Sequence, residues 1–484
     1  MEGLRLERSK TPKRNFENTI RNSIPAPSIL ATGTTGYKAP SPDLQRGNTL
    51  KKKYSLIAIA IAAAVAGTTV IAMPAQAAKP SITIWVDAPR LPGAKLYAQI
   101  MKSKVDVKVE LKAQGELVQK VALFNRVKKG WPDVVFGPPN DVSVLRDADN
   151  ARALNDLAPA SFWKDMEAGN KWCLGEDGKY YCVKNDLAQT VLWVNTKLMK
   201  DFGYTVPKTM ADFEKIGLDL AKNHPGYSVG ALGAQGAYSS WLWPSQCPVN
   251  QATSATAVKI APKSPKCTRA TTMINKLVDA GVMSTSAPWD ADFLETYGKP
   301  NKVVMTIGPS WFGEFVIRPA GSWAVPAGQI TAAPMPMWAG EKINYSGEWG
   351  GGIYTVSPHS KFPKEALAFA IFMVSDKRNV VDVKNPDGSN GAPTFPASAK
   401  GNALWKAKVS SDKYYAADPY PAMLDASKKI FSGEKPVSYD SNSAMEGTFS
   451  NELKKSKDAQ AALEAFAAYA TNLAKQLGYK VSTS

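Results

Sequence analysis

From residue 80 onward, short apolar runs alternate with longer stretches of helical period. Ser81-Ile-Thr-Ile-Trp85-Val86 reads as a strand, 105–111 as a second, and 131–137 as a third, entered through Pro132 and left through Gly137. Between them, 92–103 and 115–129 carry apolar residues at three- and four-residue spacing and are expected as crossing helices. Further on, 191–195 and 302–307 read as strands, and 211–223, 268–280, 364–375 and 459–477 as helices, so that the last 110 residues or so are mostly helical. Such alternation implies an α/β fold with largely parallel sheets. No internal repeat and no long linker divides this part of the chain.

Upstream the pattern changes. Lys51, Lys52 and Lys53 precede an apolar run, 56–73, and then Ala75-Gln76-Ala77. Basic residues that stay inside, an apolar run that enters the membrane and small residues that fit a peptidase pocket make 50–77 a secretory signal, with cleavage expected after Ala77. An uncleaved anchor is the alternative, since about 18 apolar residues can just span a bilayer; Gly67, Thr68, Thr69 and Pro74 interrupt the run and favour cleavage. No cysteine follows the run, so there is no lipobox. Residues 1–49 have no hydrophobic period and read either as a disordered extension or as a start placed too early.

Export changes what the charge means. The formal +17 of the 484-residue chain includes eleven basic and four acidic residues before Ala78. What remains is 48 basic against 38 acidic residues, a formal +10 spread among carboxylates like a solvated surface, which argues against a nucleic-acid partner. The 407 residues left after cleavage suit two lobes better than one core. All four cysteines lie in the exported part, as Cys173 with Cys182 and Cys247 with Cys267. An oxidising compartment implies disulfides. Three connectivities are possible, of which the sequential one closes the shortest loops and is helped by the turn residues Gly175, Asp177 and Gly178. The spacings match no zinc pattern, and no metal or cofactor is expected.

Several segments then carry a resemblance: Ser81 to Asp87; Trp131-Pro-Asp-Val-Val135; Leu192-Trp-Val-Asn195-Thr-Lys-Leu-Met199; Val206-Pro-Lys-Thr-Met-Ala-Asp-Phe-Glu214; Lys302 to Trp311; Gly350-Gly-Gly-Ile-Tyr-Thr-Val-Ser357; and Phe362 to Phe372. In this order, behind an export signal, they resemble the family 1 extracellular solute-binding proteins of ABC importers, of the maltose-binding-protein type. Val194-Asn195 stands where the family usually has Tyr-Asn, and the cysteine pairs belong at most to a subgroup. The resemblance implies a two-lobed periplasmic-binding-protein fold with discontinuous lobes joined by crossover strands at a hinge. The expected crossovers lie at 189–194, 305–307 and 347–353. They place 78–190 and 305–348 in the N-terminal lobe, and 191–304 and 349–484 in the C-terminal lobe. It further implies a monomer, periplasmic or held at the cell surface, that captures cargo by hinge closure. The partners would be membrane permease subunits with a cytoplasmic ATPase.

Aromatic side chains point to the cargo, because sugar rings stack on flat apolar faces while their hydroxyls meet polar groups. Trp241 and Trp243 share a face if their segment is extended. Trp311 follows Gly308-Pro309-Ser310 at a strand exit, Trp349 precedes three glycines, and Trp193 lies on the expected crossover. Polar candidates are Asp87 and Arg90 after the first strand, Asn140 and Asp141 after the third, and Gln189 and Glu348; each of these could equally be a loop residue. A polyamine is the alternative cargo, though it would want a ring of carboxylates. A secreted carbohydrate-active enzyme needs only two carboxylates about 5 to 10 Å apart. Nothing marks such a pair, and His224 and His359, the only histidines, each adjoin a proline in a turn. No catalytic residue is therefore expected.

Overall fold

The computed structural model describes residues 79–483 apart from 234–235, 434–436, 438 and 440. The signal at 50–77 and the extension at 1–49 lie outside the described residues. Strands form at Ser81–Val86 (β1), Asp106–Leu111 (β2), Val134–Gly137 (β3), Val183–Lys184 (β4), Thr190–Asn195 (β5), Gln251–Ser254 (β6), Ala257–Lys259 (β7), Met305–Pro309 (β8), Ile330–Ala333 (β9), Ile353–Val356 (β10) and Lys480–Ser482 (β11).

They make three sheets, ordered β2-β1-β3-β10-β4, β8-β5-β9 and β11-β7-β6. In the first, β1 runs parallel to β2 and β3, with Ile84 opposite both Val109 and Val134. The second is antiparallel throughout, Leu192 facing Ile307 on one side and Ala333 on the other. The expectation of largely parallel sheets therefore holds for β1–β3 and for the pair β7–β11, and fails elsewhere. β10 enters the first sheet on the return leg of the chain and so runs against β3 and β4.

β5 shows why its sequence lacks alternation. Every residue from Thr190 to Asn195 is buried. Val191 and Trp193 join one apolar cluster, which spans the first sheet and β9, while Leu192 and Val194 join a second. A strand covered on both faces reads as a continuous apolar run. The helices bury one stripe each. Met210–Asn223 starts at a capping box between Thr209 and Asp212 and buries Met210, Phe213, Gly217 and Leu220. Ala459–Gln476 is capped by Asp458, which accepts hydrogen bonds from the Gln460 and Ala461 amides, and buries Ala462, Leu463, Phe466 and Ala470.

Strand pairing corrects the expected lobe boundaries. β8 and β9, expected in the N-terminal lobe, flank β5 in the second sheet; β10, expected in the C-terminal lobe, sits inside the first. The helix Pro363–Ser375 also packs on the first sheet. The chain leaves the first sheet between β4 and β5 and returns between Ser346 and β10. It crosses a third time between the helix Ala399–Ser410, which packs on Pro363–Ser375, and the helix Tyr420–Ser427, which packs on β5 and β9. The first two crossings touch through a bridge pairing Gln189 with Glu348. Residues 305–307 are not a crossover, because their strand, β8, is an edge strand of the second sheet, paired with β5.

Both disulfides follow the sequential pairing, Cys173–Cys182 and Cys247–Cys267. The first braces the approach to β4 and the first crossing. The second ties the loop after Trp243 to the helix Pro265–Asp279.

Candidate ligand cleft

A cavity of about 680 Å³ opens where the two halves meet. From the first half, the chain after β1 contributes Asp87, Pro89 and Arg90; after β2, Gln114, Gly115 and Gln119; at the end of β3, Phe136, Pro138 and Pro139. These are the carboxyl ends of parallel strands, where open α/β sheets hold ligands. The crossing segments add Asp186, Trp349 and Gly350–Gly352, with Thr394 beside them; the second half adds Trp311, Phe315, Glu446 and Gly447.

The polar floor is one connected set. Asp87 caps the turn of residues 88–90 and accepts hydrogen bonds from Gln114 Nε2 at 2.7 Å and from Arg90 Nη1 at 3.3 Å. Arg90 reaches Asp186 Oδ1 at 3.6 Å and lies 4.3 Å above the Phe136 ring. Burial alone would lower the Arg90 pKa, but Asp87, Asp186 and Tyr354 outweigh it and hold the guanidinium charged. For Asp186 burial dominates and pushes its carboxyl above the ordinary range, despite Arg90, Asn185 and Lys184. Its Oδ1 accepts from Asn185 Nδ2 at 2.7 Å; its Oδ2 is buried with no hydrogen-bond partner.

Aromatic rings form the opposite wall. Trp311 Nε1 donates to the Trp349 carbonyl at 2.6 Å, and the two ring centroids stand 5.7 Å apart at 67°. The glycines after Trp349 are required by space and backbone. Gly351 has φ +71°, and a Cβ there would lie 2.7 Å from the Asp186 carbonyl; a Cβ on Gly352 would lie 2.1 Å from Phe136 Cζ.

Of the residues singled out in the sequence, the cavity gathers Asp87, Arg90, Trp311 and Trp349. The others do not line it. Asn140 donates to Ser441 Oγ at 2.5 Å across the halves, and Asp141 is buried at the start of the helix Asp141–Asp147, tucked over Gly137. Gln189 is fully buried and donates to the Met423 carbonyl. Trp193 packs on Tyr415 and donates to the Pro309 carbonyl. Glu348 is buried against Lys184 at 2.6 Å and accepts from Trp172 Nε1 at 2.8 Å.

Trp241 and Trp243 fail for a definite reason. Their segment, Tyr238–Leu242 and onward, is helical, so positions two apart point to different sides. Trp241 packs on Phe213 in the core, and Trp243 meets Trp172 and donates to the Phe431 carbonyl.

Asp186, Gln114, Gln119, Phe315, Thr394 and Glu446 escaped the sequence reading. Gln114 was within reach, since it follows β2 as Asp87 follows β1. Glu446 arrives from more than 300 residues away along the chain from the Gln114 loop it faces, and no local pattern marks it.

Three solved structures illustrate the likeness. The galacto-N-biose/lacto-N-biose I-binding protein of an ABC transporter from Bifidobacterium longum, in complex with lacto-N-biose, matches with TM-score 0.69 at 16% identity, covering 84% of this chain and 99% of that one. The GacH receptor of Streptomyces glaucescens, solved unliganded and with acarbose, matches with TM-score 0.62 at 19% identity over 83% and 100%. The maltose/maltodextrin-binding domain MalE from Bdellovibrio bacteriovorus, bound to maltotriose, gives 0.59 at 16% over 82% and 100%. No curated protein matches the chain. Among the described residues no helix is long and apolar enough to cross a membrane. Residues 95–417 match the family described as bacterial extracellular solute-binding protein, and with two thirds of its length inside that match the chain belongs to this family.

Proposed function

We propose that the protein is the extracytoplasmic substrate-binding component of an ABC importer, and that its cargo is a carbohydrate. The observation that carries the reading is the cleft itself: Trp311, Trp349 and Phe315 face a hydrogen-bonded polar floor across one cavity at the junction of the two halves. Flat apolar walls suit the C–H faces of sugar rings, and Asp186, Gln114, Gln119 and Thr394 offer donors and acceptors to the hydroxyl rim. The saccharides held by the structural neighbours support the same class.

Function then follows from hinge closure. Cargo that touches both walls makes its full set of contacts only when they approach, so binding shifts the population toward the closed form. Membrane permease subunits read that form, and a cytoplasmic ATPase drives release. The hinge is the pair of crossings at 185–189 and 346–352, held by the Lys184–Glu348 ion pair. The protein acts as a monomer outside the membrane, exported by the signal at 50–77 and cleaved after Ala77. A polyamine is the second reading, favoured by the carboxylates of Asp87, Asp186 and Glu446 in the cleft; Arg90 between two of them weighs against a cation.

A thermal-shift screen of the oxidised protein against mono-, di- and oligosaccharides, polyols and polyamines tests this. A binder at about 100 times its Kd adds about 2.7 kcal/mol to the folded state. Stabilisation by one class of sugar is expected. Stabilisation by polyamines alone moves the cargo to the second reading, and a silent panel with sugars chemically altered overturns the transport role.

A further inference from the structure

The aromatic wall does not stop at the cleft. Trp349, which lines the cavity and is 5% exposed, touches Trp289, whose ring centroid lies 5.7 Å away at 47° and which is 44% exposed. Trp311, Trp349 and Trp289 thus form a row from inside the cleft to the surface. Among the described residues Trp289 is the tryptophan that leaves the largest fraction of its apolar surface in water.

The turn that carries it is held firmly. The Asp290 amide donates to the Ala287 carbonyl at 3.0 Å, Asp290 Oδ2 accepts from the Ala287 amide at 3.0 Å, and Trp323 Nε1 donates to the Pro288 carbonyl at 2.8 Å. Ser286 is anchored in turn, its carbonyl accepting from the Gly233 amide at 2.8 Å. These bonds fix the backbone on either side of Trp289. Polar groups flank it: Lys454 Nζ reaches Asp290 Oδ2 at 3.1 Å, and Glu446 on the cleft wall feels Asp290, which adds to burial in pushing its carboxyl upward.

We propose that Trp289 is an outer stacking platform for sugar units of the cargo that extend beyond the cleft, so that the protein is built to take oligosaccharides in preference to monosaccharides. The inference rests on the carbohydrate reading of the cleft. A rigid aromatic face flanked by a carboxylate and an ammonium gives an additional ring both a stacking surface and hydroxyl partners. A monosaccharide held in the cavity would leave it unused.

Calorimetric titration of the oxidised protein with linear gluco-, galacto- and manno-oligosaccharides of one to five units tests the platform. In the wild type, affinity is expected to rise about tenfold or more with length within the series that binds. Trp289→Ala should lose about tenfold on the longer members while staying within about twofold on the shortest that binds, and Trp289→Phe should keep part of the gain. A Trp289→Ala variant equal to the wild type at every length overturns the platform and leaves the cleft reading intact. So does equal loss at all lengths, which would make Trp289 a support for Trp349. A wild type that binds no sugar overturns the carbohydrate reading and the platform with it.

Discussion

Trp311, half-buried, and Glu348, buried, have opposite roles. Trp311 spends its indole N–H on the Trp349 carbonyl and presents its ring to the cleft. Trp311→Ala should raise the Kd for the sugar found by screening about 10- to 100-fold, with little change in melting temperature, as measured by calorimetric titration. Unchanged affinity would remove it from the site. Glu348 is turned away from the cleft into a pair with Lys184, whose side chain is 0% exposed. Burial lowers the Lys184 pKa against the pull of Glu348, so the partner is what keeps the charge tolerable. Glu348→Gln should cost about 3–5 kcal/mol in urea unfolding, and a loss below about 1 kcal/mol would show that the pair does not brace the hinge. The sequence singled out both, Trp311 at a strand exit and Glu348 just before the three glycines. It could not say which would face ligand, because direction depends on what packs behind each side chain.

Elements were legible where one period ran long enough to be unambiguous. The helices Met210–Asn223, Pro363–Ser375 and Ala459–Gln476 lie within two residues of their sequence reading, because capping residues and apolar stripes are local properties. The helical turn at Tyr238–Leu242 was not legible, since Trp241-Leu242-Trp243 fits either period over so short a stretch. One electrostatic tie between elements has a defined pH signature. A hydrogen bond from Lys266, aided by Gln246 and Arg269, lowers the Glu341 pKa from its ordinary 4.5 to about 2. A carboxyl depressed on folding stabilises the protein fully above its ordinary value and loses that contribution as pH falls toward the folded value. Stability measured by denaturant between pH 5 and 2 should therefore fall less steeply in Glu341→Gln than in the wild type. Identical slopes would mean that the tie to the helix Pro265–Asp279 is not formed in solution.

For the whole molecule, the contact from Asn140 Nδ2 to Ser441 Oγ joins the loop after β3 to the helix Ser441–Met445 across the cleft. A hydrogen bond of about 1 kcal/mol present only when the halves approach changes the closed-to-open ratio about fivefold. Asn140→Ala should weaken sugar binding by about that factor, chiefly through faster release, and leave a larger radius of gyration in ligand-free scattering. Equal release rates would show that the contact does not latch the closed form. The sequence by itself determined the α/β class, the order and type of the long elements, the paired cysteines and the family, because period, capping, cysteine spacing and motif order are properties of short stretches. Only the tertiary structure decided which half β8, β9 and β10 belong to, and which side chains meet in the cleft. Strand pairing and cavity lining join residues hundreds of positions apart, and the energy that selects them comes from burial shared between segments that no local window contains.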